Sequence, residues 1–432
     1  MVDRKVGGMP IAPDFVGLSY EKDSLPGGFF NIANEALIAL LRWLGPGILR
    51  IGGNSVDVTH WILDGVGSIA GQIAPNDVDA FAAFLRAANW KTLYGLNFAT
   101  NTPQRLAAEA AYAVRTLGDR LYGFEIGNEP DYYASNGLRP PNFTYDNFLA
   151  EWSAFADALS DQVPSAFLAG PGAAAFRSTW AVPFATAQRA RIGLLTQHYY
   201  RGNGEAPDAT LAQLLAGDPA LPVLLQQLRQ AATDNAVVSG FRLTEANSYS
   251  NRGAPNVSNA PGTALWVIDF LFLNARYGAA GVNPHGGGSY PGYTPIADDG
   301  QKVVEVRPEY YGMLLFSMAA QGELLATEVR APGQFLAAYA VSRGASTHVV
   351  MVNHAADADA RVAISLGHDA ISATMMTLRA GVSGNAQGTT FGGASIGADA
   401  SWSPEPPVTA AVVNGNLTVT VPPMSAMLVT AA

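Results

Sequence analysis

The chain has 432 residues, 49% hydrophobic and only 14% charged, a balance that excludes charge-driven disorder and allows a substantial buried core. Its 25 Lys and Arg against 35 Asp and Glu leave a formal net charge of −10, which opposes nucleic acid and anionic membranes as partners. With no cysteine, disulfide frameworks, thiolate metal sites and cysteine nucleophiles are excluded together.

Along the chain, short apolar runs rich in β-formers alternate with longer segments of helical period. The predicted strands are 15–19, 48–51, 92–98, 121–126, 167–170, 194–198, 241–244 and 280–283. Helical period falls over 31–43, 77–88, 102–116, 145–159, 178–190, 211–234, 264–277 and 309–320. Repeated βα units of this number and length predict a (β/α)8 TIM barrel over residues 14–324. After residue 325 the texture changes to short Val-, Thr- and Ala-rich runs at 335–341, 348–353, 360–364, 372–378, 408–413 and 417–421. Gly, Asn, Asp and Pro separate them, so 325–432 reads as an appended C-terminal antiparallel β-sandwich, with 381–401 as long hairpin loops.

Barrel chemistry sits at the C-terminal ends of the strands. The fourth strand closes on Phe124-Glu125-Ile126-Gly127-Asn128-Glu129-Pro130, which places Glu129 at the rim before a proline that cannot extend the ladder. The seventh closes on Thr244-Glu245-Ala246-Asn247, a lone carboxylate after an apolar strand. A loop glutamate is ordinarily just solvated. Two of them ending strands on opposite sides of one mouth are what glycosidic cleavage requires, one to protonate the leaving oxygen and one to attack or to activate water. Glu125, four residues before Glu129 and on the same side by alternation, reads as a buried hydrogen-bonding partner.

These motifs resemble retaining glycoside hydrolases of clan A, and more narrowly family 79, the β-glucuronidases and heparanases. Supporting residues are Leu49-Arg50-Ile51-Gly52-Gly53-Asn54 at the second strand, Gln197-His198-Tyr199-Tyr200 at the sixth and Gly286-Gly287-Gly288-Ser289-Tyr290 after the eighth. The resemblance implies Glu129 as acid/base and Glu245 as nucleophile. It also implies that Asn128 binds the sugar 2-hydroxyl, that Tyr200 steadies the nucleophile, and that Glu21 and Asn54 face the sugar. For a uronic acid carboxylate it implies Tyr290, the Gly287 region, Tyr249 and the amides of Asn251 and Arg252. Other members place the tyrosine one residue later than Tyr249 and follow it with glycines. The resemblance further implies that residues 1–13 add a strand to the sandwich.

No cofactor or metal is expected: none of His60, His198, His285, His348, His354 and His368 has a partner at ligand spacing along the chain. The expected partner is a glucuronic acid-containing oligo- or polysaccharide. The resemblance implies that exo-acting members close the site with a loop inserted after the Gly-Gly-Asn segment; here only 22 residues, 55–76, separate Asn54 from the next helix, which leaves little material for such a loop and favours endo cleavage of heparan sulfate-like chains. Arg139, Arg201, Arg252 and Lys302 are expected at the mouth. The alternatives are an exo-β-glucuronidase, a clan A hydrolase of neutral β-glycosides, and a carbohydrate-binding protein on a decayed hydrolase fold. The N-terminus shows no apolar leader, and export is expected if a signal peptide has been removed.

Overall fold

In the computed structural model, which describes residues 2–3, 8–174, 179–330, 335–366, 370–381 and 388–432, eight parallel strands form the barrel. They are β1 Gly17–Glu21, β2 Ile48–Gly52, β3 Lys91–Leu96, β4 Leu121–Ile126, β5 Leu168–Ala173, β6 Ile192–Tyr200, β7 Phe241–Asn247 and β8 Gly281–Pro284. Neighbours pair in sequence order, and parallel bridges Val16↔Val282 and Ser19↔His285 bring β8 back to β1. His368 and residues 382–387 of the stretch 381–401 lie outside the described residues.

Outside run α1 Glu35–Trp43, α2 Pro75–Ala88, α3 Pro103–Leu117, α4 Tyr145–Gln162, α5 Ala181–Ala187, α6 Leu221–Asp234, α7 Thr263–Arg276 and α8 Pro308–Ala319. Their starts are written in the sequence. Asn34 accepts from the Leu37 amide, and Thr144 with Asn147 forms a capping box before α4. The helix expected over 211–234 is instead two, Leu211–Leu215 and α6, because Gly217 adopts φ +74° and Pro219 cannot donate to a continuing helix. α7 and α8 are buried almost all round, as helices covered on both sides must be.

The cover is the C-terminal antiparallel region. Its larger sheet runs Glu323–Thr327, Leu336–Arg343, Ser346–Asn353, Ser425–Ala431, Ser372–Arg379, and short N-terminal strands Val2–Asp3 and Met9–Pro10 both pair with its Glu323–Thr327 edge. Ala360–Ser365 and Asn416–Val421 form the second sheet. Period-2 alternation decides the packing. In Ser346–Asn353, Val349 and Met351 face the second sheet's Ile364, Leu417 and Val419, while Val350 and Val352 belong to the barrel's core. Tyr339 stacks on Phe272 of α7 at 4.3 Å and donates to Asp269, which also meets His354 Nε2 at 2.6 Å.

Inside the barrel, Ile48, Leu93, Ala169 and Leu194 make an apolar layer. Toward the strands' C-terminal ends this gives way to polar groups, Ser19, Arg50, Glu125, Thr244 and Glu245, hydrogen-bonded to one another. Buried charge at that level marks the functional end.

Candidate active site

β4 ends at Ile126, after which Gly127 takes φ +81° and Glu129 takes φ +48°, a left-handed conformation uncommon for a residue with a side chain. Neighbours enforce it. The Glu129 amide donates to the Gly172 carbonyl at 2.9 Å, and the Asn128 amide donates to Asp57 Oδ2 at 3.1 Å. Asp57 is itself buried, accepting from Tyr133 Oη at 2.6 Å and from the Phe98 and Ala99 amides at 3.1 and 3.0 Å. Burial pushes its carboxyl up to about 6, with the hydrogen bonds pulling the other way.

On the opposite wall, β7 skips a residue against β6: Gln197 pairs with Leu243 and His198 with Glu245. This irregularity at Thr244 turns two consecutive side chains inward, as bulges beside active sites do. Thr244 donates to Glu125 Oε1 at 3.1 Å, while Glu245 accepts from Arg50 Nη1 at 2.6 Å and from Tyr200 Oη at 2.9 Å. Burial alone would raise the Glu245 carboxyl. The charges of His285, His198 and Arg50 and the Tyr200 hydroxyl outweigh it and hold the group well below the usual carboxylate range. The Tyr200 phenol is pushed well above its ordinary value, by burial first and by Glu245 next, so it stays a donor.

Arg50 is the hub. Wholly buried, it also reaches Glu125 Oε2 at 2.7 Å, Asn128 Oδ1 at 2.9 Å and Ser19 Oγ at 3.2 Å. His198 Nδ1 lies 2.9 Å from Glu129 Oε1 and 4.0 Å from Glu245 Oε2. Burial lowers this imidazole's pKa, yet Glu245 and Glu129 prevail over it and over Arg50, and the balance is a raised value. Glu129, His198 and Glu245 each offer an atom within 4.8 Å of the others'. A carboxylate held ionised thus faces a second carboxyl group across a short gap, a nucleophile and proton-donor arrangement.

The other predicted residues divide. Glu21, Asn54, Tyr200, Asn251, Gly287 and Tyr290 line one open cleft of about 1500 Å³ with Glu129 and Glu245. Glu21 accepts from the Asn54 and Ser55 amides at 3.1 and 2.7 Å. This tight loop needs Gly53, at φ +67°, since a Cβ there would collide with the Glu21 carboxylate. Asn128 sits below the cleft surface, its amide nitrogen donating to Asn54 Oδ1 at 3.2 Å. The Gly287 amide donates to Thr294 Oγ1 at 2.9 Å and so is engaged within its own loop.

Tyr249 corrects the sequence reading. It is buried away from the cleft, its hydroxyl donating to the Thr210 carbonyl at 2.9 Å and meeting Gln213 Oε1 at the same distance. Of the basic residues expected at the mouth, Arg201 and Arg252 line the cleft. Arg139 pairs instead with Glu151 at 2.9 Å against Phe98, Tyr133 and Phe143, and Lys302 sits in a turn with Asp299.

Three residues were missed. Arg50 was readable as a charge inside an apolar strand, and His285 as the end of β8, where its Nδ1 meets Ser19 Oγ at 3.0 Å and Glu245 Oε2 at 3.8 Å. Tyr293, three residues after Tyr290, lines the cleft 5.7 Å from the Tyr200 ring. As for metals, the Glu129, His198 and Glu245 cluster is a carboxylate–imidazole set that spacing along the chain could not reveal. Glu245 Oε2 accepts from Arg50 and Oε1 from Tyr200, so a cation bound there would sit against the Arg50 guanidinium charge.

No protein-family profile matches the chain. A β-glucuronidase of Aspergillus niger is 24% identical over 272 residues, 56% of this chain and 49% of that protein. A β-glucuronidase of Neurospora crassa is 24% identical over 358 residues, 72% of this chain and 64% of that protein. The chain therefore spans about half to two thirds of the length of these curated relatives. In fold it is similar to a 4-O-α-L-rhamnosyl-β-D-glucuronidase from Fusarium oxysporum, with TM-score 0.82 and 17% identity over 99% of this chain and 98% of that one. An α-L-arabinofuranosidase from Thermotoga maritima follows the same architecture, with TM-score 0.72 and 16% identity over 99% and 98%.

Proposed function

We propose that the chain is a glycoside hydrolase of the β-glucuronidase type that cleaves by retaining double displacement. The observation that carries this reading is the convergence of Glu129 and Glu245, with an oxygen of each within 4.8 Å. Retaining enzymes hold their carboxyl groups about 5–5.5 Å apart, whereas inverting enzymes leave about 6.5–9.5 Å for a water. Glu245, kept ionised by His285, His198, Arg50 and Tyr200, attacks the anomeric carbon. Glu129 protonates the leaving oxygen, and His198 orients it. In the second step Glu129 takes a proton from the water that releases the sugar. The β-glucuronidase relatives direct the reading toward a glucuronide.

The finer reading is endo cleavage within a glucuronate-containing chain. The cleft's volume of about 1500 Å³ exceeds the ~300–1,000 Å³ of a pocket for one small ligand, and no residue of 55–76 lines it. Its lining holds Glu21, Asp23, Glu129, Glu205, Asp218 and Glu245 against Arg201 and Arg252, a charge that favours sparse sulfation among heparan sulfate-like chains. A panel of 4-nitrophenyl glycosides tests the substrate class: turnover of the β-glucuronide above the β-glucoside, β-xyloside and α-arabinofuranoside is expected, and preference for a neutral sugar would contradict it. Sizing of digested heparan sulfate and its desulfated form tests the mode. Shortened chains are expected, and release of monomeric glucuronic acid from intact polymer would replace endo with exo action.

A further inference from the structure

With Tyr249 turned into the core, the cleft wall after β7 lacks the hydroxyl expected there, and the chain presents Ser250-Asn251-Arg252-Gly253 instead. Arg252 lines the cleft, its guanidinium carbon 5.3 Å from the ring centre of Tyr290, which also lines it. Among the described residues its side chain makes no ion pair or hydrogen bond. The other charged side chains of the lining are six carboxylates and Arg201, so a guanidinium is the cleft's scarce resource for an anion.

The segment that carries Arg252 is held from both sides. Ser250 donates its amide to the Gly202 carbonyl at 2.8 Å, Asn251 Nδ2 donates to Asn203 Oδ1 at 2.9 Å, and the Arg252 carbonyl accepts from the Tyr293 amide at 3.3 Å. A Cβ at Gly292 would run into that carbonyl, so the loops after β7 and β8 interlock closely. Asn251 and Arg252 both take left-handed backbone, φ +55° and +68°, a costly conformation that persists where surroundings impose it and that clusters at ligand clamps. The amides of both residues make no hydrogen bond among the described residues.

We propose that Arg252, steadied by Tyr290, reads the carboxylate of the bound uronic acid through its guanidinium, an ion pair in place of a phenol. The proposal rests on the glucuronide reading. A planar guanidinium held over an aromatic ring can still present N–H groups to a carboxylate in two-pronged geometry, which a lysine cannot reproduce.

Phenyl 1-thio-β-D-glucuronide and its uncharged 6-amide, titrated calorimetrically into the full chain, test this. Wild type should bind the acid about 10- to 100-fold more tightly than the amide. Arg252→Gln should erase that preference while leaving amide affinity unchanged, Arg252→Lys should keep part of it, and Arg201→Gln should keep it whole. A preference retained in Arg252→Gln, lost in Arg201→Gln, or absent from wild type overturns the proposal. Unchanged melting temperatures exclude misfolding as the cause. A wild type that prefers the acid yet hydrolyses no glucuronide would overturn the hydrolase reading and leave the anion site standing.

Discussion

Replacing Arg50 by methionine should cost both stability and activity, and the structure sets the scale. The side chain is fully buried and serves Glu125 at 2.7 Å, Glu245 at 2.6 Å and Asn128 at 2.9 Å. Methionine fills similar space but strands the buried Glu125 without a counter-charge and leaves Glu245 only the neighbouring His285 and His198, a change that costs about 3–5 kcal/mol. Across 432 residues that corresponds to a melting temperature lower by about 3–6 °C. The pH dependence has a definite sign. A carboxyl depressed in the folded state contributes stability above its unfolded value, near 4.3, and loses it as pH falls toward the folded value. Glu245 is such a group, so the gap between wild type and Arg50→Met should be full at pH 7 and narrow below about pH 4. Turnover of an aryl glucuronide at pH 7 should fall about 100- to 1,000-fold, as for loss of one electrostatic stabiliser. Adding Glu125→Gln removes one stranded charge and should recover part of the melting temperature but none of the activity. A melting temperature within about 1 °C of wild type, or activity restored by Glu125→Gln, would refute the hub role.

Glu245→Ala should abolish turnover and regain it with azide, giving an inverted glycosyl azide; an unrescued variant counts against the nucleophile assignment. Glu129→Ala should slow a methyl glucuronide about 100-fold more than a dinitrophenyl glucuronide, whose leaving group needs no proton; equal losses would exclude Glu129 as the acid. Tyr249→Phe should lower stability by about 1 kcal/mol and leave KM unchanged, because its hydroxyl bonds Thr210 and Gln213 rather than substrate; a raised KM would return it to the cleft. Asp57 is raised to about 6, so its contribution is full below the unfolded value and declines as pH rises through about 6. Wild-type stability relative to Asp57→Asn should therefore fall by on the order of 3 kcal/mol between pH 4 and 7, and a flat difference by chemical denaturation would contradict the buried-acid assignment.

Barrel and site were legible to different depths. Period-2 and helical runs located every barrel strand, because burial on both faces writes a continuous apolar signal. The strand Ser425–Ala431, central in its sheet, escaped notice because Ser, Met and Ala after paired prolines carry little β propensity. Glu129 and Glu245 could be found because a strand end is a local feature. Arg50 and His285 carry local cues, a charge inside an apolar strand and a strand-end position, but their partners, like those of Tyr293, come from other strands and loops, which no window along the chain contains. Tyr249 failed for a related reason: beyond the end of β7 the strand's alternation no longer specifies direction, and packing against the Leu211–Leu215 segment decided it.

The central claim is that Glu129 and Glu245 act as acid/base and nucleophile in a retaining cleavage of β-glucuronides. Proton NMR of the anomeric region during hydrolysis of 4-nitrophenyl β-D-glucuronide tests it most directly. β-Glucuronic acid should appear first and then mutarotate to the equilibrium mixture. Initial formation of the α-anomer, or no hydrolysis of the glucuronide at any pH, would contradict the account.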